Sequence, residues 1–356
     1  MSEPTVRRPP RSADVARLAG TSQKTVSRVM NGERYVSAEV RDRVLMAARE
    51  LGYRRNTAAR ALQLGRFHRI GVVTLGSSLS GPASTLVALE RAVRATGYSL
   101  SLVTTLEGQA GIAQGVETLL SQGVDGIVVA EPVDEGEGLR LDLDVPVVSL
   151  GPMPGLTAPD VVVLDDLGVT AGRAATEHLL GLGHATVWHV AGPSHWYSAL
   201  GRVQGWRETL AAAGAPEPPV VEGDWSPASG YAAGRTLVRA DDVTAVFVAN
   251  DEMASGVIRA FAEAGRSVPG DVSVVGVDDI PIAAFLSPPL TTVRQEFDLR
   301  AVRGLELLVE RIEGTPPATP HDDVPVHLIV RESSAPPPSS MEGVPRCSYH
   351  DVPSGG

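Results

Sequence analysis

At four places in the later part of the chain, polar or aromatic side chains follow apolar runs. They are Trp225 in Gly223-Asp224-Trp225-Ser226, Asn250-Asp251, Asp278-Asp279, and Gln295 beyond Leu290-Thr291-Thr292-Val293. Carboxylates and amides match the donors and acceptors of hydroxyl groups, and an indole offers a flat apolar face. Together they suit an uncharged polyhydroxylated ligand such as a sugar. Taken singly, an Asp or Asn after a strand is also a good helix cap, and a Trp is also surface packing. Near the other end, Gln23, Lys24, Thr25, Ser27 and Arg28 crowd into one short segment. Arg or Lys can read guanine, Gln can read adenine, and the Thr methyl can meet the thymine methyl.

Groups for covalent or metal chemistry are missing from the pattern. Lys24 is the only lysine, and no Gly-x-x-x-x-Gly-Lys phosphate loop or Gly-x-Ser-x-Gly elbow occurs. Gly181-Leu182-Gly183-His184 follows a helical segment and reads as a helix stop. His184, His189 and His195 lack a His-Glu-x-x-His arrangement. The one cysteine, Cys347, excludes an internal disulfide and a multi-cysteine site. The expectation is a protein that binds, with no catalytic residues, cofactor or metal.

The elements that must carry these groups fall into two parts. The net charge of −11 divides unevenly: residues 1–69 hold 15 Lys and Arg against 6 Asp and Glu, and the remainder holds 16 against 36. A basic head on an acidic body is the balance of a polyanion-binding module. Within the head, Val15, Leu18 and Ala19 form one face of a helix over 12–19 that Ser12 could cap. Gly20 permits a turn and Ser22 is a second cap. Val26, Val29 and Met30 then face inward opposite the polar residues already named. This is a helix-turn-helix layout. A third helix over 37–51 buries Val40, Val44, Leu45 and Ala48 and stops at Gly52. Asn56 can cap a short stretch over 57–64, where Leu62 and Leu64 are either linker packing or a minor-groove wedge.

From residue 70 onward, apolar runs at 70–75, 100–104, 126–130 and 145–150, then 161–164, 186–190, 245–249 and 272–277, alternate with helical segments. Continuous apolar runs are the mark of buried parallel strands. The predicted fold is α/β: a helix-turn-helix domain followed by two lobes of doubly wound sheet, with a ligand cleft at the carboxyl ends of the strands. No apolar run is long enough for a membrane span and no signal core follows the N-terminal arginines, so a cytoplasmic protein is expected. The Pro-, Ser- and Gly-rich segment from Ser333 reads as a disordered tail without heptads.

Three blocks of the head, Asp14-Val15-Ala16-Arg17-Leu18-Ala19-Gly20-Thr21-Ser22, Thr25-Val26-Ser27-Arg28-Val29-Met30-Asn31 and Leu51-Gly52-Tyr53-Arg54-Arg55-Asn56, resemble the lactose-repressor family over about fifty residues. Further blocks match its effector domain, itself similar to periplasmic sugar-binding proteins, over roughly residues 68–335. Among them are Arg202-Val203-Gln204-Gly205-Trp206, Val248-Ala249-Asn250-Asp251 and Val274-Val275-Gly276-Val277-Asp278-Asp279. The resemblance implies a homodimeric repressor that binds a pseudo-palindromic operator and is released by a small effector. Gln23, Lys24 and Arg28 would read bases, within a DNA-facing set of Ser22, Thr25, Ser27, Asn31, Asn56, Arg60 and the wedge Leu62. Arg202, Trp225, Asn250, Asp278 and Gln295 would line the sugar pocket, with Phe297 as an apolar wall. Trp196 and Tyr197 would add aromatics at its edge.

Two positions depart from the pattern the resemblance implies: Gly151 stands where an acidic residue is expected and Leu75 where a small polar one is. The implied domains are 1–53 (DNA-binding head), 54–67 (hinge helix and linker), 68–335 (effector-binding and dimerisation domain) and 336–356 (tail). The rival readings are a purine-type corepressor regulator of the same fold and a soluble sugar-binding or hydrolytic protein.

Overall fold

The computed structural model describes residues 8, 10–30, 32–33, 35–53, 65–77, 79–105, 108–133, 139–153, 155–165, 167–240, 242–315 and 324–338. The chain separates into two compact units, residues 1–67 and 68–356. No described helix is long and apolar enough to cross a membrane.

The first unit is built on α1 (Ser12–Leu18), α2 (Gln23–Met30) and α3 (Ala38–Leu51). Its core joins Val15, Ala16 and Ala19 to Val26, Val29, Val44, Ala47 and Ala48. Two expectations need correction. Ser12 is already helical, and the cap role falls to Arg11, whose backbone N–H donates to the Asp14 carboxylate at 2.9 Å. Leu18 is 47% exposed, and Ala16 takes its place in the core. The cause is that α1 packs against both α2 and α3, so its buried stripe widens sideways onto Ala16. Ser22 caps α2 by accepting from Thr25 N at 3.1 Å, and Ser37 caps α3 by accepting from Val40 N. Gly52 ends α3 in the left-handed region, φ 64°, where a side chain would be strained.

The second unit holds two sheets. In the first lobe β1 (Arg69–Leu75), β2 (Ser99–Thr105), β3 (Gly126–Val129), β4 (Val147–Ser149) and β5 (Val161–Val163) run in the order β2-β1-β3-β4-β5, all parallel. In the second, β6 (Trp188–Ala191), β7 (Val221–Glu222), β8 (Ala245–Val248), β9 (Ser273–Val277), β10 (Thr291–Gln295) and β11 (Val326–Ile329) run β11-β10-β9-β8-β6-β7, with only β11 antiparallel. The strand at 161–163 therefore belongs to the first sheet, not to the second series as expected. No described helix intervenes between β4 and β5. The face above them is covered instead by α10 (Phe297–Glu313), whose Ala301, Leu305 and Leu308 pack with Val128, Val148 and Leu150.

Helices cover both faces of each sheet, as burial of parallel strands requires. In the first lobe α4 (Ser80–Thr96) and α10 lie on one face and α5 (Gln109–Ser121) on the other. In the second lobe α6 (Leu167–Gly181) and α7 (Tyr197–Ala213) oppose α8 (Pro227–Leu237) and α9 (Asp251–Glu263). The α6–α7 contact is backbone-close: a Cβ on Gly205 would meet the Val169 carbonyl oxygen. The segment from Ser333 also departs from expectation. Ser333 is fully buried, its Oγ accepts from Thr291 N and donates to Val274 O, and the Ala335 carbonyl hydrogen-bonds His184. A Pro- and Ser-rich composition is thus compatible with fixed structure when the ends of neighbouring strands supply partners.

Candidate ligand cleft and nucleic-acid interface

In the second lobe the site groups gather at the carboxyl ends of the parallel strands. The turn after β6 brings Trp196 and, one helical turn into α7, Arg202. Trp225 follows β7, Asn250 follows β8, Asp278 follows β9, Gln295 ends β10, and Phe297 opens α10. The corresponding ends of the first lobe contribute Glu131 and Pro132 after β3, and Leu150 and Gly151 after β4. These residues line one cleft that opens to solvent. Of the eight residues that the resemblance assigns to the effector pocket, all but Tyr197 lie on its wall. Ser80 N donates to Glu252 Oε1 at 2.9 Å, and Val133 bridges to Trp196, so both sides of the cleft are tied together.

Its polar centre is Arg202, 5% exposed. The guanidinium donates through Nη1 to Ala249 O at 2.6 Å, pairs with Asp278 Oδ1 at 3.6 Å and lies 5.3 Å from the Trp225 ring centroid. Asp278 accepts from Gln295 Nε2 at 2.5 Å. Burial pushes its carboxyl up to about 6, although Arg202 pulls the other way. Both Trp225 (φ 73°) and Asp278 (φ 109°) occupy backbone regions that side chains rarely adopt. Such strain persists only where the surroundings enforce it. For Trp225 the surroundings include Gly192, because a Cβ there would collide with the indole, and Trp196 stacked edge-on at 5.8 Å.

Asn250 does two things. Its Oδ1 caps α9 by accepting from Met253 N, and its Nδ2 donates to Trp225 O at 3.0 Å, which fixes the strained residue. Next to it, Asp251 is fully buried, accepting from Thr292 Oγ1 and Ile280 N. Burial and the nearby Asp278 raise its carboxyl well above the usual range. Asp279, grouped with Asp278 by sequence, faces elsewhere: it pairs with Arg294 and Arg331 and is absent from the cleft wall. Tyr197 likewise packs into the first-lobe core, so the edge gains one aromatic, Trp196, and not two. His189 is a core residue stacked on Phe247, and burial holds its imidazole down to about 3. Among the described residues no His, Cys, Asp and Glu cluster could hold a metal ion.

Sequence reasoning missed Glu131. It is 8% exposed, and its Oε2 accepts from Thr74 Oγ1 at 2.8 Å and Leu75 N at 2.9 Å. The available signal was a carboxylate immediately after the apolar run at 126–130. Leu75, one of the two noted departures, acts here through its backbone. Gly151, the other, is on the wall beside Arg300.

On the first unit, the outward face of α2 exposes Gln23, Lys24, Ser27 and Arg28. Ser22 and Thr25 hydrogen-bond each other at 2.9 Å, and Arg28 pairs with Glu33 at 3.5 Å. Asn31, Asn56, Arg60 and Leu62 lie outside the described residues.

A helix-turn-helix unit with a polar helix face, followed by a two-lobed unit holding a cleft at its strand ends, defines a ligand-responsive DNA-binding regulator. Residues 13–56 match the model for bacterial regulatory proteins of the lacI family, and residues 176–334 match the periplasmic binding protein-like domain. The HTH-type transcriptional regulator CelR of Thermobifida fusca is 37% identical over 340 residues, covering 92% of this chain and 99% of its own length. The lac repressor dimer bound to operator and the anti-inducer ONPF superimposes with a TM-score of 0.80 at 30% identity, over 92% of this chain and all of that one. A CelR–cellobiose complex gives 0.65 at 32% identity, over 91% of this chain and all of that one. The chain belongs to the lacI family of bacterial regulatory proteins.

Proposed function

We propose that this regulator is a cytoplasmic homodimeric repressor of carbohydrate-use genes, released from a pseudo-palindromic operator by a sugar in the cleft. The observation that carries the ligand class is the Arg202–Asp278–Gln295 network beside Trp225, a set of paired hydroxyl partners next to an aromatic platform. The cellobiose complex and the operator-bound dimer among the relatives favour the same ligand class and assembly. In this reading the domains are 1–53 for operator reading, 54–67 as the hinge, 68–335 for effector binding and dimerisation, and 336–356 as the tail. In this reading the cleft holds a ligand: Asp278 is engaged by Arg202 and Gln295, and one oxygen of Glu131 by Thr74 and Leu75.

A purine corepressor fits less well, because a nucleobase would stack between parallel rings and Trp196 and Trp225 meet at 71°. A gel shift with the chain's own upstream DNA decides between the two. Release by one of a panel of mono- and disaccharides is the expected outcome. Tightening by a purine base, with no response to any sugar, would reverse the assignment.

A further inference from the structure

Three residues of the cleft wall each carry a buried polar atom without a hydrogen-bond partner: Nε of Arg202, Nε1 of Trp225 and Oε1 of Glu131. The first two are donors in the second lobe, and the third is an acceptor in the first. Unmet buried groups of this kind are costly unless something fills them. A hydroxyl both accepts and donates, so a polyol can answer both sides of this set. A phosphate or carboxylate could meet the donors but would face the Glu131 carboxyl with like charge. We propose that Glu131 is the first-lobe recognition group of the cleft: its Oε1 accepts a hydroxyl from an uncharged sugar whose other hydroxyls are held by Arg202 and Asp278, and it rejects phosphorylated or acidic sugars. The proposal rests on the sugar reading above and names a contact from the opposite lobe.

The geometry also assigns Glu131 a positioning effect. Its other oxygen already holds Thr74 and Leu75 at the end of β1. A ligand hydroxyl on Oε1 would therefore link that strand end to the Asp278 network of the second lobe. Burial pushes the Glu131 carboxyl up to about 7. Hydroxyl donation favours the charged form, so sugar affinity should rise with pH through neutrality. The other charged groups on the wall are Arg202, Asp278 and Arg300. Arg300 is held by the carbonyls of Leu150 and Asp165, and burial pushes the Asp278 carboxyl up only to about 6. The groups of β1 bonded to Glu131, Thr74 and Leu75, carry no charge. The difference between wild type and Glu131→Gln isolates the Glu131 contribution.

The test uses the full chain, with cellobiose, lactose and ribose as probes and tryptophan fluorescence and calorimetry as readouts from about pH 6 to about pH 8. Glu131→Gln and Glu131→Ala should bind operator normally, which reports folding. Both should lose about tenfold in affinity for the sugar that binds wild type, and the rise with pH above 6.5 should flatten. One monodeoxy analogue should bind wild type as weakly as the parent sugar binds Glu131→Ala, with no further loss in the variant. Glucose 6-phosphate should bind Glu131→Gln better than wild type. Unchanged affinity and pH profile in both variants would overturn the role of Glu131 and leave the sugar reading intact. Failure of wild type to bind any sugar while a purine base binds would overturn both.

Discussion

Arg28 and Lys24 share the exposed face of α2, and Arg28 has an internal competitor, Glu33. An ion pair with both partners about half exposed is weak, so DNA can displace Glu33 at little cost. Lys24→Ala should relax preference at one operator base, by about 1–3 kcal/mol, while weakening other sequences much less. Binding to a set of single-base operator variants checks this, and an unchanged preference removes Lys24 from the base-reading set. In the body, His189 is buried neutral, with its imidazole held down to about 3 against an ordinary 6.5. Above about 6.5 it costs nothing; as pH falls below that, the unfolded chain takes up a proton the folded chain refuses, and stability is lost. Glu131 and Asp278 act with the opposite sign, so the comparison must be with a variant. The melting temperature of His189→Leu should fall less between pH 7 and pH 5 than that of wild type. Trp225, Asn250, Asp278 and Gln295 were legible because each follows an apolar run, whereas Arg202, Trp196 and Phe297 came only through the family resemblance. Glu131 also follows an apolar run, but a lone carboxyl gains meaning only when β3 ends opposite that cluster.

Most strand positions were legible as apolar runs, though the short β7 and the antiparallel β11 were not, and the partners of the elements stayed hidden. Alternating apolar runs marked β5 as a strand, but the helix covering that face arrives only at Phe297–Glu313, far along the chain. Local pattern therefore could not assign its sheet. The same limit explains Leu18, since a single-stripe reading cannot anticipate that α1 touches two helices. It explains the pinned segment at 333–335 as well, because its partners lie on β9, β10 and the end of α6. Close helix pairs are the other feature that pattern leaves hidden. Gly205 lets α7 approach α6, and α7 carries Arg202. Gly205→Ala should destabilise the second unit by about 1–3 kcal/mol through overpacking. It should also weaken sugar binding, because Arg202 moves with its helix. Thermal unfolding and a sugar titration of that variant check both, and a variant as stable as wild type would mean the α6–α7 contact is looser than its geometry indicates.

At the scale of the whole molecule, the charge asymmetry and the two-part pattern were the clearest signals in the sequence, and they follow from what each part must meet. A basic head binds a polyanion, and an acidic body does not compete for it. The proposed function depends on linkage between the two parts: a sugar that prefers one arrangement of the body can lower operator affinity by no more than its differential binding energy. The Asp278 side chain lies on the cleft wall, where it accepts from Gln295 and pairs with Arg202. Asp278→Asn preserves its shape while removing the charge, so sugar affinity should drop by about a hundredfold or more and operator affinity should not change. The most direct test is therefore a titration of the operator complex with cellobiose and the rest of the sugar panel, on wild type and Asp278→Asn side by side. Release of wild type at a sugar concentration that leaves the variant bound is the predicted result; equal release of both proteins by the same sugar would contradict the assignment of this cleft as the effector site.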